Sequence, residues 1–467
     1  MEWTALLLSR LQFAFTVSFH IICPSFTIGL AAWLTVLEAC HLVTGKPVYR
    51  RLFEFWLKIF GVTFGLGVVS GVVLAFEFGM NWSRLSEVTG PIQGPLLTYE
   101  SFTAFALEAS FFGVLIFGRS RVPPPIYLLS TMMVALGTTF SAFWIMVNNS
   151  WMQAPVGYAL ENGVFVPTDW KAIIFSPVVW VRFPHMLVAA YLTGAFCVAA
   201  TGAWYRLNNK FALEGMLMLR MGLFFAALLV PVQLFFGHLN GDYVHEWQPA
   251  KFAAIEGRWH DEQPAGEVLI AVPDEAKETN YFELKIPYLG SLIASMRFDS
   301  KEIGLTSFAK EDRPPVVIPF FAFRVMVGCG LLMMALAWLG SLYLLTDRRK
   351  GETLLLWGTF LSFPLPFVAT LTGWFTAEVG RQPWSVYGAL RTADAVTPTL
   401  TVQAVTVSLI IFVAVYLVIF SFGTLYVYRL LRAGPVESES FLPINPKRPL
   451  AVAGGSLAPE IAPRSST

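Results

Sequence analysis

Nine apolar stretches, each close to the length needed to cross a lipid bilayer, leave this chain few alternatives for its fold. They cover about residues 11–40, 53–79, 98–118, 125–147, 178–205, 218–238, 318–345, 353–376 and 401–429. A helix needs about 20 such residues to span the hydrocarbon, and within lipid every backbone polar group must be satisfied inside its own segment. The expectation is an all-α polytopic membrane protein with about nine transmembrane helices. Composition agrees, with 55% hydrophobic and 13% charged residues, against about 25% charged in soluble domains. A net charge of +1 indicates no particular partner, and no nucleic-acid partner is expected. The first helix carries Glu2 and no basic flank or small-residue cleavage site, so it reads as retained, not as a signal peptide. Cys23, Cys40, Cys197 and Cys329 all lie in apolar segments without metal-type spacing and read as packing residues.

Basic residues set the orientation. Lys46, Arg50 and Arg51 follow the first span, and Arg119 and Arg121 the third. Arg206, Lys210 and Arg220 flank the turn after the fifth, Arg348, Arg349 and Lys350 follow the seventh, and Arg429 and Arg432 the ninth. This alternation predicts the N-terminus outside and the C-terminus in the cytoplasm. The chain then divides into helices one to six (1–238), a long charged outer loop (239–317), helices seven to nine (318–432), and a cytoplasmic tail (433–467). That tail is rich in Pro, Ser and Ala and is expected to be disordered. No internal repeat and no interrupted span is evident.

Against this apolar background the polar residues stand out. The eighth span closes in GWFTAEVGRQPWSVYGALR, with Glu378 and Arg381 between Trp374 and Trp384. Ionisable groups at membrane depth cost roughly 2.5–3.5 kcal/mol each, which suggests function, although an aromatic belt with snorkelling charges would look similar. His20 and His185 lie inside apolar helices, in the outer half of the membrane. His41, His238, His245 and His260 fall at helix ends or beyond. A lone membrane histidine can simply be a hydrogen-bonded packing residue. With Met326 and Glu378, however, the two make four potential iron ligands at similar depth. Arg324 and Arg381 are suited to neutralise buried haem propionates. Glu100 and Glu108 are eight residues apart, about 12 Å of rise and close to one helical face. Carboxyls in line suggest a proton relay; the other reading is a structural pair held by Ser101, Thr103 and Ser110. Lys251 and Glu256, in QPAKFAAIEG, read alone as a solvated pair on an amphipathic fragment. The residues by themselves leave open a cofactor-free, proton-coupled transporter and a haem protein that passes electrons to quinone.

In combination the motifs resemble subunit I of the cytochrome bd-type quinol oxidases, along nearly the whole chain to about residue 430. They are RLQFAFTVSFHI around His20, NSWMQAPVG at 149–157, RFPHMLVAAY around His185, QPAKFAAIEGRW at 248–259, FRVMVG around Met326 and GWFTAEVGRQPW. The resemblance implies that His185 and Met326 hold a low-spin haem b, and that His20 and Glu378 are each an axial ligand to one of two high-spin haems where O₂ is reduced. It implies Trp374 between the haems, Arg324 and Arg381 near propionates, and Glu100 and Glu108 on the proton route. Lys251 and Glu256 would belong to the quinol-binding loop, with Glu256 taking a proton. The cofactors implied are two haem b and one haem d, or three haem b. The partners implied are a second membrane subunit, subunit II, and one or more small single-helix subunits, in a bacterial cytoplasmic membrane. The loop resembles the short version found among cyanide-insensitive members. Quinol would be oxidised outside and protons for water drawn from the cytoplasm, generating membrane potential without pumping.

Overall fold

The computed structural model describes residues 3–346 and 351–436. Arg348, Arg349 and Lys350, and the tail beyond 436, lie outside the described residues. Among those described, nine helical spans are long and apolar enough to cross a membrane. In chain order the helices are α1 (Ala5–Thr44), α2 (Pro47–Met80), α3 (Ser83–Thr103), α4 (Ser110–Phe117), α5 (Pro124–Gln153), α6 (Trp170–Ile174), α7 (Pro177–Leu207) and α8 (Ala212–Trp247). Then come α9 (Pro249–Glu256), α10 (Leu289–Ser295), α11 (Val317–Leu344), α12 (Glu352–Leu361), α13 (Leu365–Val379), α14 (Thr392–Ala395) and α15 (Val402–Ala433). Three short antiparallel hairpins decorate the bundle: β1–β2 (Tyr158–Glu161, Val164–Pro167), β3–β4 (Glu267–Asp274, Thr279–Ile286) and β5–β6 (Trp384–Val386, Leu390–Arg391).

Local chemistry sets the ends of several helices. Thr4 caps α1 by accepting from Leu7 N at 3.1 Å, and Gly45, at φ 66°, closes it in the left-handed region. Thr401 caps α15 in the same way. Most spans outrun their apolar cores by a turn or more, because a helix continues until a cap or proline stops it. So α8 runs to Trp247 rather than ending near residue 238, and the loop is correspondingly shorter.

Two irregularities depart from the sequence reading. The eighth span is interrupted at 362–364, between α12 and α13. Pro364 and Pro366 remove two backbone donors there, while Ser362 Oγ bonds Thr359 O at 2.7 Å. The third span contains a π-helical turn, Ala104–Ala109, between α3 and α4.

Apolar packing is densest at the end of the bundle away from the β3–β4 hairpin. There Leu30, Leu34 and Leu37 of α1 meet Leu52, Phe53, Trp56 and Phe60 of α2. The same end is tied by ion pairs: Arg119 grips Glu38 through two bonds of 2.6 and 2.7 Å, Arg51 meets Glu214 at 2.7 Å and Arg206 meets Glu352 at 2.5 Å. Several basic residues that carry the orientation argument thus serve structure too.

Small residues bring α7 against α1. A Cβ added to Gly29 would lie 2.3 Å from Ala190 O, and one on Gly194 2.8 Å from Gly29 C. Four crossings apart, α1 and α7 run the same way. His20 and His185 each precede their contact glycine by nine residues. The two histidines therefore stand at one level, about 13 Å toward the hairpin end, as the sequence reading expects.

Candidate functional site

The polar half of the bundle gathers where α5, α8 and α13 end and α7 begins. Glu378, in the last turn of α13, accepts from Asn149 Nδ2 at 2.9 Å, Gln153 Nε2 at 3.1 Å and Arg381 Nη2 at 2.6 Å. Arg182, buried on α7, donates to Asn149 Oδ1 at 2.6 Å and Ser150 Oγ at 3.2 Å. Lys251 Nζ donates to Ala377 O at 2.8 Å and to Gln153 Oε1 at 3.2 Å. Gln248 Nε2 reaches Gln153 O at 2.6 Å. Two guanidinium groups and one amine surround one carboxylate. Burial, and after it Arg182, hold the Lys251 ammonium well below its ordinary pKa. Arg381 Nε and Nη1, both buried, have no hydrogen-bond partner among the described residues.

This arrangement overturns the reading of Lys251 and Glu256 as a solvated pair. Every residue from Ala250 to Glu256 is buried, because α9 folds back under the hairpin instead of lying on a surface. Lys251 belongs to the Glu378 cluster, whereas Glu256, at the far end of α9, faces the hairpin.

Each of the other candidate ligands has one neighbouring helix shaped around it. His20 Nδ1 lies 3.0 Å from Ser70 Oγ, and a Cβ on Gly71 would sit 3.1 Å from its ring. His185 Nε2 lies 3.3 Å from Gln233 Nε2, its Nδ1 is buried without a partner among the described residues, and a Cβ on Gly237 would come within 3.4 Å of the ring. Gly373 admits Met326, whose Sδ would be 3.0 Å from an added Cβ. Trp374 follows directly, half-buried.

Arg324 is not part of the Glu378 cluster. Its guanidinium donates to Ile255 O at 2.8 Å, Phe320 O at 3.0 Å and Leu269 O at 3.0 Å, and also to Val268 O. It stacks on the Phe320 ring, 3.4 Å from the centroid. In this position it clamps α9 and β3 to α11, two residues before Met326.

Glu100 accepts from Ser141 Oγ on α5 at 2.8 Å and from Ser101 at 3.3 Å, so a neighbouring helix supplies its better partner. Glu108 is buried beside Gly137, where a Cβ would lie 2.7 Å from its Cγ. Glu108 itself lies in the π turn, whose wider winding replaces the plain α-helical spacing expected between the two carboxyls.

Asn149, Gln153, Arg182, Ser70 and Gln233 are not among the individual residues expected from the sequence. Neither is Glu77, fully buried on α2 and accepting from Thr16 Oγ1 at 2.6 Å. Arg182 and Glu77 carried a usable signal, a charge inside an apolar run. The neutral amides carried none.

A family model described as cytochrome bd terminal oxidase subunit I matches residues 8–435. The chain belongs to that family. A Bacillus subtilis (strain 168) relative, cytochrome bd ubiquinol oxidase subunit 1, is 36% identical, with 91% of this chain and 93% of the relative covered. The Escherichia coli (strain K12) cytochrome bd-II ubiquinol oxidase subunit 1 is 31% identical, over 94% and 99%. The solved structure of bd oxidase from Geobacillus thermodenitrificans superposes with a TM-score of 0.86 at 28% identity, covering 92% of this chain and 99% of that one. Nine apolar spans in a bd oxidase family member make this a multi-pass protein of a bacterial cytoplasmic membrane.

Membership in the cytochrome bd family implies haem cofactors, and the residues fit them. Imidazole, thioether and carboxylate side chains are all haem-type ligands. The unpartnered donors of Arg381 match the oxygens of a propionate, and the cationic surplus around Glu378 suits further anionic groups. Glycine stands opposite His20, His185 and Met326, leaving a margin beside each donor atom.

Proposed function

We propose that this chain is the haem-bearing subunit of a terminal oxidase that oxidises quinol at the outer membrane face and reduces O₂ to water. The observation that carries the reading is the Glu378 cluster: a carboxylate held by three donors inside a bundle, among more cationic groups than it can neutralise. In this reading His185 and Met326 would hold the low-spin haem, His20 and Glu378 the two high-spin haems, and Arg381 would pair with propionates. When bound, haem iron supplies the electron relay and the place where O₂ is reduced.

The chain's own residues do the remaining work. Ser70 and Gln233 orient His20 and His185 through one ring nitrogen each. Asn149 and Gln153 hold the Glu378 carboxylate against the pull of Arg381. Lys251 anchors α9 beside that site, so that the quinol loop and the oxygen site share a wall. Glu256 takes the proton released by a quinol hydroxyl, since quinol oxidation needs a nearby base. Glu100 and Glu108 pass protons inward from the cytoplasmic side, and Trp374 would lie between haems. Two quinols supply the four electrons that turn one O₂ into two waters. With proton uptake on one side and release on the other, the reaction is electrogenic without pumping. Subunit II completes the complex, together with a small single-helix subunit. The haem set is two haem b and one haem d, with three haem b as the other composition the ligands accept.

A reduced-minus-oxidised spectrum of the purified complex, with haem extraction from the same sample, tests this. Haem b with a long-wavelength chlorin band, or haem b alone in about three copies, is the expected result; a well-folded preparation without haem overturns the reading. At the quinol site, Glu256→Gln should abolish quinol-driven oxygen consumption while artificial donors still work. Equal loss with both donors would remove Glu256 from that site.

A further inference from the structure

Glu256 ends α9, and Gly257 then turns the chain at φ 65°. No side chain fits at that turn, because a Cβ would lie 2.7 Å from the Phe320 ring. Beyond it the chain returns as β3, whose first residue is Glu267. Glu256 is 5% and Glu267 9% exposed. The Glu256 carboxyl is the neighbour that acts most strongly on Glu267, and its Oε2 has no donor among the described residues. Two ionised carboxylates only accept, so the two can bond to each other only when one carries a proton. Burial, and then the charge of Glu256, raise Glu267 to about 9. With Glu256 as the base, Glu267 is the member of the pair that keeps its proton at neutral pH.

The surrounding charges do not dissolve the pair. Arg324 of α11 acts on both carboxyls, but four of its five guanidinium hydrogens are committed to backbone carbonyls. Arg258, next to the α9 turn, is buried, with Nη1 unpartnered among the described residues. On β4, Lys285 packs its stem beside Gly266 and pairs with Glu262. A cavity of about 130 Å³ opens beside Glu256, lined also by Arg258, Trp259 and Asn280 and by Gly266 and Val268 on either side of Glu267.

We propose that Glu267 is the proton-relay partner of Glu256 in quinol oxidation. This rests on the assignment of Glu256 as the base at the quinol site. A quinol O–H bond breaks and its proton passes to the Glu256 carboxylate, while the electrons leave toward haem. Glu267 gives its own proton to water at the loop surface and accepts the one from Glu256 across a hydrogen bond between the two. The pair returns to one proton and one charge, ready for the second O–H. Each quinol thus yields two electrons, two protons and quinone. Glu267 acts through Glu256 and need not touch the substrate.

The test uses the assembled two-subunit complex with E267Q, E267D and E256Q. E267Q should lower kcat with quinol roughly tenfold or more, leave KM within about twofold, and leave oxygen consumption with an artificial electron donor unchanged. In wild-type-minus-E267Q infrared spectra, a protonated-carboxyl C=O band should be present and should vanish as pH rises through about 9. E267D should keep a titrating band and recover part of kcat. Wild-type kcat in E267Q, or no such band, overturns the proposal. If E267Q does not assemble, E267D carries the test: wild-type kcat with an unmoved band refutes it. E256Q separates the two claims. Loss of quinol oxidation in E256Q but not in E267Q sinks only the relay, whereas full quinol oxidation in E256Q sinks the site assignment beneath it.

Discussion

Gln153 shows how much of this site rests on residues without charge. Its amide donates to Glu378 Oε1 at 3.1 Å and to Ala377 O at 3.3 Å, and it accepts from Lys251 at 3.2 Å and Gln248 at 3.0 Å. Gln153→Ala leaves several buried polar groups short of a partner, each costing about 1–3 kcal/mol. The complex should melt at lower temperature, and the high-spin haem spectrum should shift while the low-spin spectrum stays. Unchanged melting and spectra would show that Glu378 is held without it. Sequence made the ionisable and haem-type residues legible, because His20, His185 and Glu378 stand against an apolar background where polarity is conspicuous. It did not make Gln153 legible, since a neutral amide at a helix end is common. It also misjudged Lys251, whose burial follows from α9 folding back, a tertiary event with no local signature.

At the scale of elements, the nine spans were readable because each must carry its own apolar length. Their irregularities were not. A π turn has no composition of its own, and the prolines at 364 and 366 also occur in patterns that merely bend a helix. Contact between α1 and α7 was similarly hidden, since Gly29 and Gly194 look like any other membrane glycines. Gly194→Val would force side-chain atoms into the Gly29 backbone, where even a Cβ comes within 2.8 Å. Overpacking of this kind costs typically about 1–3 kcal/mol. Because α1 and α7 carry His20 and His185 at one level, the expected result is lower thermal stability together with altered spectra of both haem types. A loss confined to one spectrum would mean that the two helices adjust independently.

Across the whole molecule, burial is uneven. The most apolar 18-residue window of the fifth span is 67% buried and that of α1 56%, against 17% for α2, 12% for the third span and 11% for α15. The first two make the centre; the others present apolar faces to lipid or to the second subunit. Cysteines introduced at Phe102 and Ile410, both exposed, should cross-link to subunit II or accept lipid-phase probes, whereas one at Ala199, fully buried, should do neither. Labelling at Ala199 in the intact complex would contradict this arrangement.

The Arg324 clamp has a consequence for how the protein comes apart. One side chain on α11 holds carbonyls at 255, 268 and 269, so the start of the loop cannot peel away while the seventh span keeps its place. Amide hydrogens between α9 and β3 should then exchange with solvent in the same slow phase as those around Met326, not in the fast phase usual for surface connections. With Arg324→Ala the two phases should separate, and the loop should become the first part of the molecule to open.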